Sequence, residues 1–150
     1  MLNEGDKAPA IKLETDKGEK FDLAKHKGKK VVVYFYPRAD TPGCTIEAKE
    51  FNDAYQKIAK KGADVFGISP DTPKAQTKFK EKFDLGFTLL CDVDKAVANA
   101  YGVVKEKNMY GKKVMGIERT TFVIGADGKI EKIFNKVKPE GHAEAVLAVL

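Results

Sequence analysis

The chain has few of the residues that staple or metallate a small protein. It carries two cysteines and two histidines in 150 residues. Two cysteines do not make a disulfide framework. Cys44, Cys91, His26 and His142 are too scattered to resemble a metal-ligand spacing, so no metal is expected. Apolar runs are short, far below the roughly 20 residues of a membrane span, and no membrane partner is expected. The start, Met1-Leu2-Asn3-Glu4-Gly5-Asp6, has neither a basic beginning nor an apolar stretch. No secretory signal is read there, and a cytoplasmic location is expected. Linkers, repeats and low-complexity stretches are absent too. With 43% hydrophobic residues, the expectation is one domain over 1–150 with a real core.

Charge of one sign is not concentrated either. The net charge is +5, but acidic residues interleave with most of the lysines. Lys105-Glu106-Lys107 and Lys78-Phe79-Lys80-Glu81-Lys82 read as solvated faces rather than a stripe tracking phosphates. Nucleic acid is not an expected partner.

What the sequence does have is a cysteine at a strand-to-helix junction. Val31-Val32-Val33-Tyr34-Phe35-Tyr36 is β-branched and aromatic throughout and reads as a buried strand. Downstream, Glu47, Phe51, Tyr55, Ile58 and Gly62 recur at helical spacing. Cys44 falls between them, in or near the first turn of the helix. Unpaired N–H groups and the positive end of the helix dipole meet there. Such a place favours thiolate over thiol, the reactive form. A shift of two units takes roughly 2.7 kcal/mol. A cysteine is more often a small buried hydrophobe. Here Asp40, Thr41, Pro42, Gly43 and Thr45 surround it, which predicts a turn near the surface.

The remaining elements follow from period and punctuation. Residues 11–14 and 20–21 flank Thr15-Asp16-Lys17-Gly18 as an N-terminal hairpin. One helical turn is read at 22–26, and strands at 63–69 and 87–91. Helices are predicted from Thr72-Pro73, over 94–101, and over 141–150. Residues 119–124 and 129–134 flank Ala126-Asp127-Gly128, a second hairpin. Strands alternating with helices argue for an α/β fold, a central mixed β-sheet with helices on both faces. Open sheets of this kind place their sites at the carboxyl ends of strands, where Cys44 falls.

Pro37, Thr41 and Cys44 match the Pro-x-x-x-Thr-x-x-Cys signature of peroxiredoxins. Tyr34-Phe35-Tyr36-Pro37 followed by Asp40-Thr41-Pro42-Gly43-Cys44-Thr45 resembles the bacterioferritin-comigratory-protein, or PrxQ, group. The likeness continues at Gly67-Ile68-Ser69-Pro70-Asp71, Ala100-Tyr101-Gly102-Val103 and Gly116-Ile117-Glu118-Arg119-Thr120-Thr121-Phe122. It implies a thioredoxin-like fold and a thiol peroxidase without metal, haem, flavin or other cofactor. The expected substrates are hydrogen peroxide and alkyl hydroperoxides. The expected reductant is thioredoxin, glutaredoxin or a small thiol, and the expected state is a monomer or weak homodimer.

The resemblance also implies roles. Cys44 is the peroxidatic nucleophile, oxidised to a sulfenic acid. Thr41 stands where a thioredoxin-like dithiol would have its first cysteine; its hydroxyl can hydrogen-bond a thiolate or a peroxide oxygen. Thr before Pro is also a common turn residue. Pro37 shields the pocket. Arg119 stabilises the thiolate and orients the peroxide, with fixed donors and a permanent charge. Read alone, it is an exposed strand-end charge. Glu47 holds that arginine, or is an ordinary first-turn acid.

One departure concerns recycling. Many members of the group carry a resolving cysteine five residues after the first, where this chain has Lys49. A second family location, near Phe79, has none either. The other thiol is Cys91, a resolver after rearrangement or merely a strand residue. The departure keeps an alternative open, a non-enzymatic redox sensor or holdase.

Overall fold

The computed structural model describes residues 2–150. Its centre is β3, Lys30–Phe35, in which every residue after Lys30 is buried. Continuous burial is what a strand with parallel partners and two covered faces requires. β3 lies parallel to β4, Ala63–Ser69, which lies parallel to β5, Thr88–Cys91. β8, Thr120–Ile124, runs antiparallel on the other side of β3 and pairs with β9, Ile130–Phe134. β1, Lys12–Thr15, and β2, Lys20–Asp22, form the N-terminal hairpin and extend the sheet beyond β5. The order is β2-β1-β5-β4-β3-β8-β9. This is the mixed sheet the sequence predicts, with its parallel neighbours joined by helices.

Alternation along β3 divides the core. Val32, Tyr34 and Tyr36 face α1, Pro42–Lys60, with α2, Pro73–Phe83, and α4, His142–Ala148. Val31, Val33 and Phe35 face the other side, where α3, Ala96–Ala100, and the N-terminal segment pack. Helices therefore occupy both faces but unequally: the three longer ones share one side. α1 buries Cys44, Ala48, Phe51, Ala54 and Ile58, a stripe three or four residues apart that keeps one face on the sheet. Phe51 stacks on Tyr34 at 4.5 Å. Burying such a side chain contributes about 1.5–3 kcal/mol, so this contact anchors the helix that carries Cys44.

Two segments differ from the sequence reading. α3 is shorter than the predicted 94–101 because Lys95 adopts a left-handed conformation. The Asp92 carboxylate accepts from the N–H groups of Val97 (3.2 Å) and Ala98 (2.8 Å), starting the helix later. Residues 104–117 form a hairpin that went unread. β6, Val104–Met109, pairs with β7, Lys112–Ile117, as a separate two-stranded sheet. Lys105-Glu106-Lys107 lies on it as extended strand, and only Glu106 is exposed: Lys105 and Lys107 are half-buried, with Lys107 donating to Ile117 O. Among the described residues no helix is long and apolar enough to cross a membrane.

Candidate active site

Cys44 sits at the third position of α1. Thr41 is the N-cap and Pro42 the first helical residue, where a missing N–H costs nothing. Thr45 donates its N–H to Thr41 O at 2.9 Å. The N–H groups of Gly43 and Cys44 precede it, and the Thr41 side chain caps neither. The first turn thus presents donors to whatever lies against the sulfur. The expectation of a surface turn is corrected here. Cys44 is 1% exposed and belongs to the core on the α1 side. Its turn-forming neighbours do lie outward, but the first turn lays the thiol onto the end of the sheet.

Arg119 occupies the link between β7 and β8 and reaches this thiol across the fold. Its Nη1 lies 3.5 Å from Cys44 Sγ and 2.8 Å from Glu47 Oε1. The arginine side chain is 16% exposed and the Glu47 side chain 0%. Arg119 is therefore not the exposed strand-end charge of the bland reading, nor is Glu47 an ordinary first-turn acid. Burial pushes the Glu47 carboxyl up to about 7, against the downward pull of Arg119. Its Oε2 has no hydrogen-bond partner. Burial opposes the arginine's charge, but Glu47 and Cys44 outweigh it and hold the guanidinium protonated. His142 lies nearby, its Nε2 2.7 Å from Thr121 Oγ1. Burial first, then Arg119, pushes its pKa down to about 4, so the ring stays neutral at pH 7.

Gly43 permits the arginine's approach. A Cβ there would stand 3.1 Å from Arg119 Nη2 and 3.4 Å from Pro139 Cγ. Gly43→Ala should improve helix propensity by up to about 1 kcal/mol while displacing the guanidinium by a few tenths of an ångström. The expected result is an unchanged or higher melting temperature with a peroxide rate lowered about tenfold, since small misplacements of reacting groups are costly. Stopped-flow oxidation of Cys44 beside a thermal melt checks it.

Thr41 is placed beside the site, but its hydroxyl donates to Arg38 O at 2.9 Å rather than to the thiol. Pro37 is half-buried in the loop before α1. That loop is pinned at both ends by residues the sequence reading did not single out. The Tyr36 hydroxyl donates to Gln76 Oε1 at 2.6 Å. The Ala39 N–H donates to Asp71 Oδ2 at 2.7 Å, and the same oxygen accepts from Ser69 Oγ at 2.6 Å. Ser69 and Asp71 were signalled only by the Gly67–Asp71 stretch within the resemblance, and Gln76 by nothing in the sequence.

Cys91 is not brought to Cys44. It ends β5, two strands from β3, opposite Ser69 of β4. β5 stands two inter-strand spacings, roughly 9.6 Å, from the β3 strand that leads into the Cys44 helix. Both thiols are free. Burial, then Asp16, Glu14 and Asp71, pushes the Cys91 thiol up to about 12.

A cavity of about 480 Å³ opens at the amino end of β3, between Leu23, Val31 and Ile124. Another of about 710 Å³ lies between Tyr101, Phe122 and Ile133. Cys44 lines neither. The Cys44–Arg119 contact lies outside both.

Residues 4–133 match the model of the AhpC/TSA family. The chain is 51% identical over 146 residues to a putative peroxiredoxin bcp of Coxiella burnetii, covering 97% of each chain. It is 45% identical over 146 residues to peroxiredoxin Bcp of Escherichia coli K12, covering 97% of this chain and 94% of that one. The chain belongs to the AhpC/TSA family, within its Bcp/PrxQ peroxiredoxins. Solved structures agree. Xanthomonas campestris peroxiredoxin Q superimposes with a TM-score of 0.89 at 43% identity, over 93% of this chain and 88% of that one. Xylella fastidiosa PrxQ gives 0.94 at 35% identity, over 99% and 95%. A peroxiredoxin is a thiol peroxidase of thioredoxin-like fold, which is what the motif and the sheet already implied.

Proposed function

We propose that Cys44 is the peroxidatic nucleophile, acting on hydrogen peroxide and alkyl hydroperoxides in the cytoplasm. The observation that carries this reading is Arg119 Nη1 at 3.5 Å from a sulfur in the first turn of a helix. The related bacterioferritin comigratory protein of Xanthomonas campestris, 42% identical, is described as having alkyl peroxide reduction activity. In the reaction the Cys44 thiolate attacks the terminal peroxide oxygen. An S–O bond forms as the O–O bond breaks, and the leaving alkoxide or hydroxide takes a proton. The products are Cys44 sulfenic acid and an alcohol or water.

Each neighbour has a part in that step. Arg119 holds its charge beside the sulfur and donates to the peroxide. The free first-turn N–H groups offer further donors. Thr41 joins them when its hydroxyl turns from Arg38 O to the peroxide. Pro37 walls the pocket, and Glu47 positions Arg119. The protein works as one domain, a monomer or weak homodimer, with no cofactor.

Recycling falls to an external thiol: thioredoxin, glutaredoxin or a small thiol. Support comes from Cys91, whose pKa of about 12 leaves almost no thiolate at neutral pH to attack a sulfenic acid. Reaching Cys44 would also require the first turn of α1 to unwind. Cys91→Ser should therefore retain turnover within about threefold of the parent, with thioredoxin or with glutathione and glutaredoxin. Loss of turnover with both, while the first oxidation of Cys44 stays fast, makes Cys91 the resolver. Intact-mass measurement after one equivalent of peroxide provides the companion test, with a sulfenic acid expected rather than an internal disulfide.

A further inference from the structure

The β6–β7 hairpin has a composition and a placement that its own packing does not explain. Five large hydrophobics are exposed among the described residues, and three are on this hairpin: Tyr110 at 99%, Met115 at 57% and Val114 at 39%. Over 104–117 there are four lysines, Lys105, Lys107, Lys112 and Lys113, against Glu106 alone. Glu106 pairs with Lys113 at 3.5 Å, both exposed. The tip is a two-residue turn in which Tyr110 (φ 53°) and Gly111 (φ 79°) are both left-handed. Asparagine or aspartate normally fills the first of these positions. A bulky aromatic there is conformationally unfavourable, yet it stands 99% exposed at the tip.

The hairpin also stands beside the reactive centre. β7 ends at Ile117, two residues before Arg119. Val104 pairs with Ile117 at the base, and the Glu118 N–H continues to Val103 O at 2.8 Å. Lys107 donates to Ile117 O, and its amine feels the charges of both Arg119 and Cys44. By strand alternation Lys107, Val114 and Lys105 share one face, so Val114 lies on the side of the hairpin that feels the sulfur.

We propose that the β6–β7 hairpin is the docking platform for an acidic dithiol protein that reduces oxidised Cys44. The proposal rests on the reading that an external thiol recycles the enzyme. Tyr110 and Val114 supply the apolar contact, and aromatic anchors carry much of the affinity at such surfaces. The lysines steer an acidic partner toward the site. The partner's first thiolate attacks the Cys44 sulfenic acid, forming an S–S bond and releasing hydroxide, which is protonated to water. Its second thiol then attacks the partner's own sulfur of that mixed disulfide. The Cys44 thiolate leaves, and the partner departs as an internal disulfide.

The test uses an acidic thioredoxin, kept reduced by its NADPH-dependent reductase, and dithiothreitol in parallel. Two variants are made, Tyr110→Ser with Val114→Ser, and Lys112→Glu with Lys113→Glu. Each should raise the KM for thioredoxin about tenfold, the effect of losing one good anchor. The charge reversal should also flatten the salt dependence of the thioredoxin reaction. Turnover with dithiothreitol and the rate of Cys44 oxidation should stay at the parent values, which also shows that the variants fold. An unchanged thioredoxin KM with intact dithiothreitol turnover overturns the docking proposal. So does a variant that only shifts the sedimentation of the protein from dimer to monomer, which assigns the surface to a second copy. A parent enzyme that turns over with dithiothreitol and not with any protein thiol overturns the recycling reading beneath it.

Discussion

Cys44→Ser should lower peroxide consumption by at least about three powers of ten, the usual result of deleting a nucleophile. Serine is nearly isosteric, and Cys44 is packed at 1% exposure in a core that includes Phe51, Ala48 and Tyr34. The melting temperature should therefore move little. The hydroxyl gains the same first-turn surroundings and the same arginine, but it does not ionise near neutral pH and is a far weaker nucleophile toward O–O bonds. Cys91 cannot replace it, because burial and three carboxylates hold that thiol at about 12. Peroxide loss followed in a stopped-flow with excess thioredoxin is the measurement. Residual activity above about a tenth of the parent would remove Cys44 from the mechanism.

The path to Cys44 was open in the sequence because two strong local signals meet there. The run Val31–Tyr36 has no polar interruption, and Pro42-Gly43 after Thr41 punctuates the start of a helix. Neither signal says how deep the sulfur lies. Turn-forming neighbours point to solvent, whereas burial depends on where the first turn comes down relative to Tyr34, Tyr36 and Arg119. Arg119 was reachable only through the resemblance, since a contact between residues 75 apart leaves no periodic trace. The β6–β7 hairpin escaped for a local reason. Its strands are rich in lysine, their alternation is weak, and Tyr110-Gly111 is not a usual two-residue turn. α3 starts later than the periodicity predicts because Asp92, outside the predicted helix, takes the N–H groups of Val97 and Ala98, and it stops at Ala100, with Tyr101 as its cap.

The unequal layers have a consequence for the site. α1, α2 and α4 press on one side of the sheet, and the loop carrying Pro37 is tied to α2 and β4 through Tyr36–Gln76 and Ala39–Asp71. Local unwinding of the first turn of α1 would leave those anchors in place. An external thiol and Cys91 would both reach oxidised Cys44 through that unwinding, and Cys91 would in addition have to leave its place at the end of β5, two strands from β3.

Arg119→Ala should slow Cys44 oxidation by roughly 10²–10³, the loss expected for a preorganised donor at a developing charge. The buried partner predicts a second, separable effect. Glu47 already stands at about 7 with Arg119 pulling it down, so removing the arginine raises it further. A carboxyl raised in the folded state binds its proton more tightly there than in the unfolded chain. Its stabilising contribution is complete below the unfolded pKa and is lost as pH rises through the folded one. The variant should thus be near parent stability in mild acid and fall behind above neutral pH, where the carboxylate is ionised without a counterion. Arg119→Ala with Glu47→Gln should restore the alkaline stability and leave the peroxide rate low. Thermal melts between pH 5 and pH 9 with stopped-flow rates on the same samples make the comparison. If the second substitution restores rate as well as stability, Arg119 acts only by neutralising Glu47. An unchanged rate in the single variant would place Arg119 outside the chemistry altogether.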